Sequence, residues 1–205
     1  MITKKTLRLP IFIALALVAG TAPAVAMPEE EAPTPWPPED TGGKYLPVPD
    51  DYYAPVEVEV CGTTVTIESG DVRDVHYKAR VKENGSTVVK FRGESTVDLT
   101  RASDEAFIDE LDVSGPMVQH FSADKLTVTD SLKGPSYIYP LSDVDAAALA
   151  EEGFPEFFYY DRGWLSIQAH LSEDPAEEPT SVDILLNTTR HVHDLCEMLD
   201  EAAEE

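Results

Sequence analysis

Cysteine is nearly absent: Cys61 and Cys196 are the only two in 205 residues. A scaffold stapled by several disulfides is therefore excluded. Positive charge is also scarce, with 15 Lys and Arg against 39 Asp and Glu and a formal net charge of −24. Binding nucleic acid requires clustered cations to neutralise phosphates, so that class of partner is excluded. After the first 20 residues no apolar run approaches the roughly 20 residues that span a bilayer. Several chemistries are missing as well. The chain has no G-x-S-x-G elbow, no H-E-x-x-H and no phosphate-binding glycine loop, which leaves no motif for nucleophilic hydrolysis, zinc proteolysis or nucleotide binding. Paired carboxylates for glycoside hydrolysis cannot be singled out among so many acids. What is present is 42% hydrophobic residues, too many for a disordered acidic tail and enough for one domain.

The beginning reads as a secretory signal peptide, residues 1–26. Lys4, Lys5 and Arg8 precede the short apolar stretch Leu9–Gly20, and Ala24-Val25-Ala26 supplies the small-residue cleavage signal. Cleavage would remove three cations and no acid, leaving 39 acidic against 12 basic residues. Localisation is therefore expected to be secreted and extracellular, with no membrane association after cleavage. Residues 27–55 hold eight of the sixteen prolines and a single Lys, Lys44. Such composition predicts a mostly disordered acidic linker, with Trp36 and Tyr45 as isolated aromatics. The domain proper is expected over 56–200, followed by an acidic tail, 201–205.

From Val56 the apolar residues recur with period 2, the spacing of half-buried strands. Val56, Val58 and Val60 alternate with Glu57 and Glu59, and the phase then slips to Val65 and Ile67. One extra residue at Cys61-Gly62 predicts a bulge there. Val75, Tyr77, Ala79 and Val81 then alternate towards Asn84-Gly85, with Val89, Phe91, Val97 and Leu99 on the return strand. A three-residue loop Glu83-Asn84-Gly85 keeps apolar opposite apolar and sets Tyr77 opposite Phe91. Further short strands are expected up to Thr189. Ser142 caps a helix over 143–152 that Gly153 ends, and a second helix is expected over 194–204. Eight to ten short strands predict an all-β domain: an antiparallel β-barrel, with a two-sheet sandwich as the second choice and one or two short helices.

Two cysteines in an exported chain are expected to pair, tying the first strand to the last segment. Four short motifs carry a resemblance: Val60-Cys61-Gly62, Gly134-Pro135 before an aromatic strand, the strand-turn-strand Phe157 to Gln168 around Gly163, and Val192-His193-Asp194-Leu195-Cys196. Over about residues 56–199 the chain resembles uncharacterised secreted proteins of actinobacteria that share an early Val-Cys-Gly strand and a terminal Asp-Leu-Cys. That resemblance implies a disulfide-closed β domain in a bacterial extracellular setting, and it supplies no catalytic residues.

Candidate sites are few. His191 and His193 share a strand face and could meet a metal with Asp194, but no distant third ligand is identifiable. Asp143 with Asp145, and Asp109 with Glu110 and Asp112, offer oxygens outside any EF-hand loop. Asn84-Gly85-Ser86 and Asn187-Thr188-Thr189 fit the glycosylation pattern, which is incidental in a bacterial host. No cofactor and no metal are assigned. The aromatic strands Phe157–Tyr160 and Trp164–Leu171 are apolar on both faces, as where a strand lines an enclosed interior. Tyr77, Phe91, Tyr137 and Trp164 are the expected ligand-binding residues. The expected role is a non-enzymatic domain that binds a small apolar ligand. The alternatives are an envelope interaction protein with a basic extracellular partner, and a carboxylate-dependent hydrolase.

Overall fold

The computed structural model describes residues 36–174 and 177–204. The expected signal peptide and the first part of the linker lie outside the described residues. The strands are β1 (Leu46–Pro47), β2 (Val56–Val60), β3 (Thr63–Arg73), β4 (His76–Val81), β5 (Thr87–Arg92), β6 (Ser95–Arg101) and β7 (Phe107–Asp112). They continue with β8 (Met117–Phe121), β9 (Thr127–Lys133), β10 (Ser136–Ile138), β11 (Phe158–Arg162), β12 (Trp164–His170), β13 (Ser181–Asn187) and β14 (Arg190–Asp194). Among the described residues two helices interrupt or end the series, α1 (Asp143–Glu151) and α2 (Leu195–Ala202), and a 3-10 turn covers Asp50–Tyr53.

All pairings are antiparallel, in three sheets. The seven-stranded sheet, in the order β1-β4-β5-β8-β9-β12-β13, acts as a floor; β2-β3-β6-β7 and β10-β11-β14 are two walls. The walls are the floor's own strands, bent. The floor order β4-β5-β8 is repeated as β3-β6-β7 in the first wall, and β9-β12-β13 as β10-β11-β14 in the second. The bends fall where a side chain cannot fit. Gly93 has φ 133°, and a Cβ there would overlap the Asp74 carbonyl. Gly163 has φ 97°, and a Cβ there would overlap the Thr188 carbonyl. Only glycine combines that backbone with so close an approach.

The antiparallel all-β class is therefore present, but no sheet closes on itself among the described residues. Each strand breaks its ladder at a corner, so the expected continuous barrel is replaced by open layers nearer to a sandwich. The same corners explain a second difference. Val89, Phe91, Val97 and Leu99 were expected on one return strand, yet Gly93 sends the first two to the floor and the last two to a wall.

Local chemistry sets the hairpins. Cys61 and Gly62 both have positive φ, 56° and 70°, which makes them a two-residue hairpin turn rather than the expected bulge. Val58 consequently pairs with Val65, and Val56 with Ile67. The Glu83-Asn84-Gly85 loop keeps the phase, and Tyr77 lies opposite Phe91 as expected. At α1 the Ser142 side chain accepts from the Asp145 N–H, a Ser N-cap.

The upper ends of the walls are sealed. Cys61, on the β2–β3 turn, is disulfide-bonded to Cys196 in α2, with Cα atoms 5.4 Å apart. Leu195 and Leu199 of α2 pack with Val60, Val65, Leu99 and Phe157 in one buried cluster. Arg101 at the end of β6 donates to Asp104 at 2.7 Å and to Asp200 of α2 at 2.5 Å, clamping the helix to the first wall.

Residues 36–55, expected as the second half of a linker, instead lie along the floor. β1 pairs with β4, Leu46 opposite Tyr77, and the Asp40 carboxylate accepts from the Val81 N–H at 3.0 Å. Trp36 stacks on Phe91 with ring centroids 5.7 Å apart, and Val48 is buried in the same cluster. A few large apolar side chains anchor a segment whose average composition reads as extended.

Candidate functional site

The floor and the two walls surround a half-open cavity of about 820 Å³, within the usual range for small-molecule sites. Its lining is drawn from all three sheets. The floor gives Phe91, Met117, Val128, Leu132, Ile167 and Ala169; the first wall gives Val56, Ile67 and Val97; the second gives Tyr137 and Ile138. The N-terminal arm adds Trp36, Tyr52 and Tyr53, and α1 adds Leu149.

The inner face of the floor can be followed rung by rung. One rung runs Phe91, Met117, Leu132, Leu165. Another runs Phe121, Val128, Ala169, Val182. The rung between them runs Ala79, Val89, Gln119, Asp130, Ile167, Ile184. Two polar residues thus occupy its centre, with apolar neighbours on every side. Both line the cavity. Asp130 Oδ1 and Gln119 Oε1 are buried and have no hydrogen-bond partner among the described residues. Burial pushes the Asp130 carboxyl up to about 6, against the lowering effect of a hydrogen bond from Gln119. A carboxyl left so poorly solvated in an apolar sheet weakens the fold unless something else pairs with it.

Tyrosines line the same space. Burial raises the Tyr137 hydroxyl above its ordinary value, with Tyr139 and Tyr52 adding to the shift, and it raises the Tyr139 hydroxyl as well. These groups stay neutral and act as hydrogen-bonding tips on apolar rings. The lining also holds Asp51, Glu68 and Asp145 against one cation, Arg92. The Arg92 guanidinium lies 3.7 Å from the centroid of the Tyr45 ring.

Of the four residues expected to bind ligand, Phe91 and Tyr137 line the cavity. Tyr77 is not in the lining, but it supports it through Trp36, whose ring centroid is 6.3 Å away. Trp164 lies on the outer face of β12 and is 37% exposed. That outer face is polar: Ser166 bonds Ser131 at 2.8 Å, and Gln168 donates to Thr129 at 2.9 Å. The inner face carries Leu165, Ile167 and Ala169 instead. Sequence reading missed Gln119 and Asp130. The available signal was phase: Asp130 takes an apolar position between Val128 and Leu132, and Gln119 one between Met117 and Phe121.

The other candidates find structural partners. His191 Nδ1 and His193 Nε2 approach Asp161 Oδ2 at 3.6 and 3.9 Å, while Asp194 caps α2 by accepting from the Cys196 N–H. Asp143 and Asp145 sit in the first turn of α1, where acids complement the helix dipole. Asp98, Asp109 and Glu110 bring carboxylate oxygens within 4.8 Å of one another. Glu110, however, already accepts from Thr96 at 2.5 Å and from the Asp71 N–H at 2.6 Å. Asp112 accepts from the Ser114 N–H at 2.9 Å. Among the described residues no helix is long and apolar enough to cross a membrane. In comparisons with known proteins the chain matches no family model, no curated protein and no solved structure.

Proposed function

We propose that this protein is a secreted, non-enzymatic binding domain that holds a small, largely apolar ligand in its central cavity. One observation carries the reading. A space of about 820 Å³ is lined by aromatic and aliphatic side chains from all three sheets, where a domain built only for stability would be packed. The three sheets serve as an opened barrel does, with the bent strands replacing ladder closure and the disulfide holding the walls together. Extracellular placement is supported by that bond, which persists in oxidising compartments, and by the leader-like start of the sequence. The actinobacterial resemblance adds a bacterial setting to the same reading.

The test uses the neutral fluorescent probe N-phenyl-1-naphthylamine. The expected result is saturable fluorescence enhancement with the wild-type protein, weakened by about tenfold or more in Ala169→Phe, which fills the cavity from β12. Absence of saturable binding, or equal affinity in the filled variant, would overturn the reading.

A further inference from the structure

The polar pair at the base of the cavity has chemistry that an apolar ligand alone would not use. Asp130 and Gln119 are cross-strand partners on β9 and β8; Gln119 donates to the Asp130 carboxyl, and each side chain still keeps one buried acceptor oxygen without a donor. The rungs on either side are apolar, so nothing in the sheet's own construction requires either residue. Unpaired buried acceptors are rare in folded proteins and are costly to keep.

We infer that Asp130 and Gln119 form a headgroup site and that the ligand is an amphiphilic primary amine, with its ammonium donating to these two side chains and its apolar body lying along the aromatic lining. The inference rests on the cavity-binding function proposed above and narrows its ligand class. An ammonium brings three N–H donors and a positive charge, so it can satisfy both oxygens and neutralise the carboxylate. Such charge-assisted bonds are stronger than neutral ones. A hydroxyl would supply one donor and no charge. A carboxylate or phosphate amphiphile would set like charge against Asp130, and it would also meet Asp51, Glu68 and Asp145 in the lining. The one cation there, Arg92, is already stacked on Tyr45. The strongly acidic chain as a whole, at −24, also favours approach of a cation.

The experiment is calorimetric titration of the full chain at pH 7.5. Four probes of equal chain length are used below their aggregation limits: dodecylamine, dodecyltrimethylammonium, dodecanol and dodecanoate. Dodecylamine is expected to bind tightest. The trimethyl compound keeps the charge but has no N–H, so it should be weaker. Asp130→Asn should weaken dodecylamine by about tenfold or more while changing dodecanol by less than about threefold. Gln119→Met, which keeps the shape and removes the amide, should weaken dodecylamine in the same direction. Equal or tighter binding of dodecanol or dodecanoate would overturn the inference. So would dodecylamine affinity unchanged in both variants, which would assign the attraction to general surface charge. In either case binding of N-phenyl-1-naphthylamine would leave the cavity function standing. If neither that probe nor any dodecyl compound binds, both readings fail together.

Discussion

The upper end of the walls and the middle of the floor are built from the same period-2 strands, yet they end in opposite conditions. At the walls, Val60, Val65 and Leu99 meet Leu195, Leu199 and Phe157 in a closed cluster, held by the disulfide and by the bond from Arg101 of β6 to Asp200 of α2. On the floor, the corresponding inner face meets open space, and its central rung carries Gln119 and Asp130. Alternation alone therefore does not produce a core. It produces an apolar face, and what covers that face decides between packing and a cavity. The sealed end supplies stability that offsets a floor whose Asp130 Oδ1 and Gln119 Oε1 lack donors.

The largest effect should come from breaking the sealed end. Replacing both cysteines by Ala releases a loop closed across a sequence separation of 135. The chain-entropy model gives a loss of roughly 5 kcal/mol for a loop of that size, read as a lower denaturation midpoint in urea. Next is Leu199→Ala, which opens a void in the fully buried cluster beneath α2. A loss of about 2–5 kcal/mol is expected, with affinity for N-phenyl-1-naphthylamine unchanged well below the melting transition. Loss of probe binding in this variant, under conditions where it remains folded, would show that the two regions are not separable.

The floor should respond in the other direction. Asp130 has a folded pKa of about 6, above the roughly 3.9 of an unfolded Asp. The unfolded chain therefore gives up this proton first, and the residue destabilises the fold increasingly as pH rises from about 4 to 6, with a constant penalty above that. Asp130→Asn removes the penalty. It should raise stability by roughly 3 kcal/mol at pH 7.5 and by only about 0.5 kcal/mol at pH 4, measured by urea denaturation at both values. A variant less stable than wild type at pH 7.5 would mean that the carboxylate is paired after all. The smallest effect belongs to Trp164→Phe on the outer face, with stability within about 0.5 kcal/mol of wild type and probe affinity unaltered.

Features decided by short-range chemistry were legible in the sequence. The Glu83-Asn84-Gly85 phase, the Ser142 cap and the pairing of the only two cysteines all appear as expected. Features decided by where strands go were not. Gly93 was read through as part of one return strand, and only the three-dimensional approach of Asp74 and Thr188 makes Gly93 and Gly163 corners between sheets. Trp36 looked incidental because its partners Tyr77 and Phe91 lie far along the chain. Trp164 looked central because it is the one large apolar group on its face of β12; choosing the inner face required knowing that Ser131 and Thr129 form the outer ladder beside it. Asp130 was legible in principle, as a charge in an apolar phase. Its meaning depended on Gln119 from the neighbouring strand and on the space above them.

The most direct test of the account is nuclear magnetic resonance mapping of N-phenyl-1-naphthylamine on the 15N-labelled protein. The account predicts saturable shifts concentrated at backbone amides of β8, β9 and β12 around Gln119, Asp130 and Ile167, with the β2–β3 turn and α2 left in place. Shifts confined to the outer surface near Trp164, or no saturable shifts at all, would contradict it.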